Sequence, residues 1–168
     1  GQKAVAVLTD MSSPLGYAIG NWVEIKECIE IMNPKLEKSQ HSKDLIDVTL
    51  YLAGAMLMLA GKCKSIEEGM NLSEEKLASG ECFEKFIALV EMQGGNSELI
   101  KSPENYPKAK LSDAITADSG GYVAGLDALS FGLAAVNLGC GRKTVEDKID
   151  YSSAIILNKK IGDEVHSG

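Results

Sequence analysis

Val5-Ala6-Val7-Leu8-Thr9-Asp10-Met11-Ser12-Ser13-Pro14-Leu15-Gly16-Tyr17-Ala18-Ile19-Gly20-Asn21 is the stretch whose reading decides the fold. It opens as a short, unbroken apolar run rich in β-branched side chains, the pattern of a strand buried on both faces of a parallel sheet. Ser12, Ser13 and Pro14 then turn the chain. Helical spacing begins near Gly16, so the stretch predicts a strand, a tight turn and a helix that opens with glycines. That succession reads as an α/β fold, and in open α/β sheets ligands gather at this edge.

At about 100° per residue, Ala18, Trp22, Ile25, Ile29 and Met32 share one stripe of the expected helix and read as core. The opposite side carries Gly16, Ile19, Gly20, Val23 and Ile31, with Glu27 among them. Two readings of that carboxylate stay open. The side is only partly covered and Glu27 reaches water, as most glutamates do. Otherwise Glu27 is buried beside a cationic partner, because an unpaired buried carboxylate is too costly to keep ionised.

The bulk of the chain narrows the function classes. Its 168 residues, 45% hydrophobic, can bury a core of ordinary size in one or two domains. A net charge of −7 argues against attraction to nucleic acid or to anionic membranes, so neither is expected as a partner. Cys28, Cys63, Cys82 and Cys140 have no metal-ligand spacing, and no signal peptide precedes them, which reads as a reduced, cytoplasmic protein. The longest apolar run, residues 48–60, is too short to span a bilayer. Both ends read as cut: Gly1 almost directly precedes a core strand, and residues 162–168 read as a hairpin turn whose return strand is missing.

Farther along, residues 33–40 are a polar connection, and Ser42 is a suitable N-cap for a helix reaching about Ala60. Leu45, Ile46, Leu50, Leu52, Ala53, Met56, Leu57 and Leu59 surround that helix, which predicts full burial. Gly61 is placed to end it. Ser65 and Glu68 have capping-box spacing for a third helix, carrying Ile66, Met70 and Leu77 inward until Ser79-Gly80 interrupts it. A fourth follows with Cys82, Phe83, Phe86, Ile87 and Val90 as its apolar face, closed by Gly94-Gly95. Residues 96–110 are polar, hold Pro103 and Pro107, and read as a linker. Beyond it, residues 114–117 and 121–125 read as strands joined in a hairpin through Asp118-Ser119-Gly120. Residues 128–138 form a helix facing inward through Leu129, Phe131, Leu133 and Val136, and residues 153–157 another strand.

Residues able to do chemistry are few. His41 and His166 lie in a polar loop and at the end of the chain, so no Ser-His-Asp or Cys-His unit can be assembled. Glu67, Glu68, Glu74 and Glu75 read as a solvated face. Gly139-Cys140-Gly141-Arg142-Lys143 has the composition of an anion cradle, yet it follows a helix, and a helix C-terminus repels anions.

Several motifs fall in one register: Thr9-Asp10-Met11, Pro14-Leu15-Gly16-Tyr17-Ala18, Gly20-Asn21, Glu24 and Lys26-Glu27. Then come Leu52-Ala53-Gly54-Ala55-Met56, Ser79-Gly80, Gln93-Gly94-Gly95, Gly121-Tyr122-Val123, Leu138-Gly139-Cys140-Gly141-Arg142 and Lys159-Lys160-Ile161-Gly162-Asp163. Together they resemble the pyrimidine-nucleoside phosphorylase and thymidine phosphorylase family. Trp22 departs from the small residue that the resemblance predicts there.

The resemblance implies the later half of a mixed-sheet α/β domain over residues 1–102. Over residues 103–168 it implies a linker and the start of a β-rich C-terminal domain of barrel-sandwich (α/β-hammerhead) type. It implies a piece of a larger, homodimeric enzyme that cleaves uridine, deoxyuridine or thymidine with phosphate as co-substrate. The phosphate and base ligands of the family precede the matched part, so no catalytic residue is expected here, and the chain alone should be inactive. Arg142 is a candidate closing-loop residue. The resemblance also implies a potassium ion held by Glu27 with the backbone carbonyls of Leu15 and Ala18. Nucleoside-monophosphate phosphorylases of archaeal type and anthranilate phosphoribosyltransferases share the fold, but Pro14-Leu15-Gly16-Tyr17 favours the first family. A biotinyl or lipoyl carrier, suggested by Gly162-Asp163-Glu164-Val165, would need a Met-Lys-Met-like tip that is absent from the sequence.

Overall fold

The computed structural model describes residue 1, residues 3–36 and residues 42–168. The order of elements is β1 (Ala18–Ile19), α1 (Asn21–Met32), α2 (Lys43–Leu59), α3 (Ile66–Ser79), α4 (Glu81–Met92), α5 (Ser97–Lys101), β2 (Gly121–Tyr122), α6 (Ala128–Leu138), β3 (Ile155–Ile156) and β4 (Glu164–Val165). The described chain is a helix-rich α/β protein with small sheets. It divides into two compact units, Gly1–Thr9 with Lys26–Asn105 and Asp10–Ile25 with Tyr106–Gly168.

In the first unit, residues 3–9 form no strand, and Leu8 is fully exposed. This corrects the expected buried parallel strand. Such a strand needs hydrogen-bonded neighbours and cover on both faces, and among the described residues both sheets are two-stranded and antiparallel. The later part of α1 turns Ile29 completely inward. On its surface Lys26 pairs with Glu30 at 2.8 Å. Ser42 stands at the N-cap position of α2 without capping it through its side chain.

Helix α2 is half covered rather than buried all round. Gly54 and Ala55 face inward while Tyr51, Leu52 and Met56 are exposed. Its cover is α3, and the contact is close because two glycines meet. A Cβ on Gly54 would stand 2.5 Å from the Ile66 carbonyl oxygen, and one on Gly69 would stand 2.6 Å from that of Gly54. Helix α3 starts at Ser65, whose hydroxyl accepts the Glu68 amide at 3.2 Å. The Glu68 carboxylate reaches back to the Lys64 amide at 2.8 Å, close to the expected capping box. Gly80, in the left-handed region at φ 81°, ends α3 and begins α4. Phe83 and Ile87 are the buried residues of α4, as its spacing predicts. The first part of the expected linker is folded: Asn96 caps α5, Ile100 is buried, and Pro103, also buried, begins a 3-10 turn, so the irregular stretch starts after Asn105.

In the second unit, β1 pairs antiparallel with β3, Ala18 opposite Ile156 and Ile19 opposite Ile155. The expected helix therefore starts later, at Asn21. Gly16 and Gly20 have φ of 67° and 140°, which a helix does not admit. The region 121–125 does not form a hairpin with 114–117. Instead β2 pairs antiparallel with β4, and Ala117 bridges Ser167, so the final segment is itself the pairing strand. Helix α6 has its expected bounds and is capped by Asp127, whose carboxylate accepts the Ser130 amide at 2.8 Å. Ala135 is its buried residue, and Leu129 and Leu133 face outward, against expectation. Trp22 stacks on Tyr106, ring centroids 3.9 Å apart. Among the described residues no helix is long and apolar enough to cross a membrane.

Candidate functional site

Glu27 is 8% exposed, which removes the reading in which it reaches water. The Ser42 hydroxyl, itself buried, donates to Glu27 Oε1 at 2.7 Å. A hydroxyl bond of that length stabilises a carboxylate away from water. Ser42 has φ −96° and ψ 27° in place of the extended backbone of a capping residue, and its hydroxyl bonds the neighbouring helix instead of accepting from an α2 amide. Ser42 as a partner of Glu27 is a residue that sequence reasoning missed, because a serine before a helix reads as a local cap.

Leu15 and Ala18 belong to the other unit, in the turn and strand that precede α1. Gly16 makes that turn in the left-handed region. Leu15 is exposed and Ala18 buried. Carboxylate and carbonyl oxygens are hard ligands, suited to an alkali or alkaline-earth cation and not to a metal that wants Cys or His. The Glu27 carboxylate, and the Leu15 and Ala18 carbonyls, are each of that donor type. Among the described residues no cluster of three His, Cys, Asp or Glu side chains could hold a metal.

The start of α1 is built with care. The Glu24 amide donates to the Gly20 carbonyl at 3.1 Å, the first bond of the helix, and Glu24 Oε1 reaches back to accept from the Gly20 amide at 2.9 Å. A Cβ on Gly20 would lie 2.7 Å from the Ser153 carbonyl oxygen, so no larger residue fits. Asn21 donates to the Cys140 carbonyl at 2.6 Å. Beside this bond lies a cleft of about 210 Å³ lined by Ile19, Gly20, Glu24, Val136, Cys140 and Gly141 among others. Burial pushes the Cys140 thiol up, with Asp150 and Glu24 adding to the shift, so it is a poor nucleophile.

Gly139, at φ 99°, ends α6 as expected of a glycine C-cap. The loop after it is no anion cradle. The Lys143 and Thr144 amides both donate to Asp147 Oδ2, at 2.8 and 3.0 Å, and those bonds hold the Asp147 carboxyl below its usual value. Amides already serving a carboxylate are not available to a phosphate. Arg142 stands exposed beside them. His41 lies outside the described residues, and His166 is exposed. Glu67, Glu68, Glu74 and Glu75 are exposed, as expected of a solvated face.

Two family models match the chain in order. Residues 1–83 match the glycosyl transferase family a/b domain, and residues 122–168 the pyrimidine nucleoside phosphorylase C-terminal domain. Pyrimidine-nucleoside phosphorylases of Staphylococcus haemolyticus (strain JCSC1435) and of Staphylococcus aureus (strain USA300) are each 40% identical to it over 168 residues, 100% of this chain and 38% of theirs. The chain belongs to the pyrimidine-nucleoside phosphorylase family. It spans 38% of the length of these curated relatives.

The family's two matched parts share the second compact unit. β1 lies in the a/b-domain match and β3 in the C-terminal-domain match, and the two are paired. A further link, unforeseen from the sequence, is Lys160. Its ammonium donates to the Pro14 carbonyl at 2.6 Å and lies 5.1 Å from the centre of the Tyr17 ring. The only hint in the sequence is the recurrence of both motifs in one family, since 146 residues separate the bonded pair.

Proposed function

We propose that this chain is part of a pyrimidine-nucleoside phosphorylase, a pentosyltransferase acting on uridine, deoxyuridine or thymidine. The observation that carries the reading is the identity of 40% along all 168 residues with relatives of that name. In the reaction a phosphate oxygen forms a bond to the anomeric carbon as the C–N bond breaks. The base leaves with the bonding pair and takes up a proton, and ribose or deoxyribose 1-phosphate remains. Charge develops on base and sugar, so donors are needed on both.

The finer organisation follows the same reading. Residues 1–102 are the later half of the a/b domain, and residues 103–168 the linker and start of a barrel-sandwich C-terminal domain. The parent is a cytoplasmic homodimer in nucleoside salvage, with nucleoside and phosphate as partners and neither nucleic acid nor membrane. Arg142 is a closing-loop residue. Glu27, with the carbonyls of Leu15 and Ala18, is the potassium site. A monovalent cation bound there supplies a fixed positive charge that balances Glu27. The burial of Glu27 and its bond from Ser42 support this, because a carboxylate kept from water needs such company.

The test is release of free base, followed by absorbance, from each nucleoside with and without phosphate. The enzyme containing this chain should release base only with phosphate, and the 168-residue chain alone should release none. Turnover by the chain alone, or none by the enzyme with any pyrimidine nucleoside, would refute the reading.

A further inference from the structure

Ala4-Val5-Ala6-Val7-Leu8 has the composition of a strand without the surroundings of one. None of the five side chains is polar, and successive side chains of a strand point to opposite faces. Ala4, Ala6 and Leu8 would share one face and Val5 and Val7 the other, so both faces are apolar, as in a strand buried inside a parallel sheet. Yet Leu8 is fully exposed, Val5 is exposed too, and of the five only Val7 is even half-buried. Among the described residues the run joins no ladder. An extended apolar run with a free edge is a template for another strand.

The compact unit that holds this run is short of strands. Residues 1–83 match an a/b-domain model, but among the described residues of this unit every regular element is helical, and β1 to β4 all lie in the other unit. Helices of an α/β layer need a sheet to cover, and Leu52 and Met56 of α2, in the same unit, are exposed as well. The relatives at 40% identity extend well beyond the matched part, since this chain spans only 38% of their length.

We propose that residues 4–8 are an inner strand of a sheet completed by the part of the enzyme outside these 168 residues, which pairs with their main chain and covers both apolar faces. This rests on the reading of the chain as part of a pyrimidine-nucleoside phosphorylase given above. The occupant is a strand of the same polypeptide and not a second copy of the run. Two edges and two apolar faces need cover at once, whereas a second copy supplies one edge and no face. Five residues at about 3.3 Å each make a strand about 16 Å long, an ordinary length.

The experiment is hydrogen–deuterium exchange of the enzyme containing this chain, read by mass spectrometry of peptic peptides. Residues 108–113, exposed and irregular, are the reference. The amides of residues 4–8 should exchange at least about a hundred-fold more slowly than those, whatever the enzyme concentration. Rates equal to those of 108–113 overturn the proposal, and slowing that is lost on dilution overturns it in favour of a second copy. Ala6→Pro removes one ladder donor, which an inner strand does not tolerate and an irregular segment does. It should lower the melting temperature by several degrees, and a wild-type value overturns the proposal. Should that variant fail to fold, exchange of the wild type decides alone. Release of free base with phosphate, measured on the same sample, reports on the phosphorylase reading separately. Activity with fast exchange at 4–8 overturns the strand alone, and slow exchange without activity overturns the phosphorylase reading and leaves the strand standing.

Discussion

Gly54→Ala should destabilise the protein although the same change stabilises an ordinary helix. In a helix interior, alanine is favoured over glycine by about 0.8–1 kcal/mol. At position 54, however, the new methyl would meet the Ile66 carbonyl oxygen at 2.5 Å, the Met70 amide nitrogen at 2.9 Å and Met70 Cγ at 3.0 Å. Two of those atoms are backbone, so no side-chain rotation relieves the clash. Helices α2 and α3 would have to part by the better part of an ångström along the whole Gly54–Gly69 contact. Overpacking of this kind costs about 1–3 kcal/mol, which offsets the helical gain and leaves a net loss of up to about 2 kcal/mol. Gly132, in α6, is the control, since a Cβ there meets nothing within 4 Å. Gly132→Ala should therefore stabilise by about 1 kcal/mol. Urea unfolding followed by far-ultraviolet circular dichroism gives both midpoints. Two variants that move in the same direction would refute the close approach of α2 and α3.

Ser42→Ala leaves the buried Glu27 carboxylate without its hydroxyl donor and should lower stability by about 1–3 kcal/mol in the same urea assay. Ser42→Thr, which keeps the hydroxyl, should lower it less. Trypsin should cut first at Lys108 and Lys110, in the exposed irregular stretch after Asn105, and later at Lys101 in α5, as mass spectrometry of early fragments will tell. Bonds from the Ser130 side chain and amide hold the Asp127 carboxyl below its ordinary value of 3.8. A carboxyl depressed in the folded state contributes stability above its unfolded value and loses that contribution as pH falls through the folded one. Stability should thus fall more steeply below pH 3.8 in wild type than in Asp127→Asn, measured by thermal melts across that range.

What could be read from the sequence was what depends on neighbours along the chain. Ser65, Gly80 and Gly139 set helix ends through bonds to residues three to five positions away, and their elements have the expected bounds or nearly so. The 3.6-residue spacing of Phe83 and Ile87 likewise identified the buried side of α4. The apolar run at 5–9 reads as a buried strand only if partners are supplied, and pattern alone cannot supply them. The pairings of β1 with β3 and β2 with β4 join residues far apart in sequence, so the hairpin assigned to 118–120 had a better-placed competitor in β4. Leu129 and Leu133 failed for a related reason: a helix apolar on most sides gives no signal of which side is covered. At the candidate site, a carboxylate among glycines and aliphatic residues marked Glu27. Its partner Ser42 and the anchor Lys160 were hidden, one by a plausible local role and the other by distance along the chain.

The pairing of β1 with β3 also sets an order of events during synthesis. Residues 10–25 leave the ribosome before the strand and lysine that hold them, which follow well over a hundred residues later. At elongation rates of about 5–20 residues per second, the Pro14–Ala18 turn waits roughly 7–30 s for its partners. Helices α2, α3 and α4, whose contacts are between neighbours in sequence, can form meanwhile. The nascent chain thus carries an unsettled segment past a completed helical group, and residues 155–160 decide when the turn ahead of α1 becomes fixed.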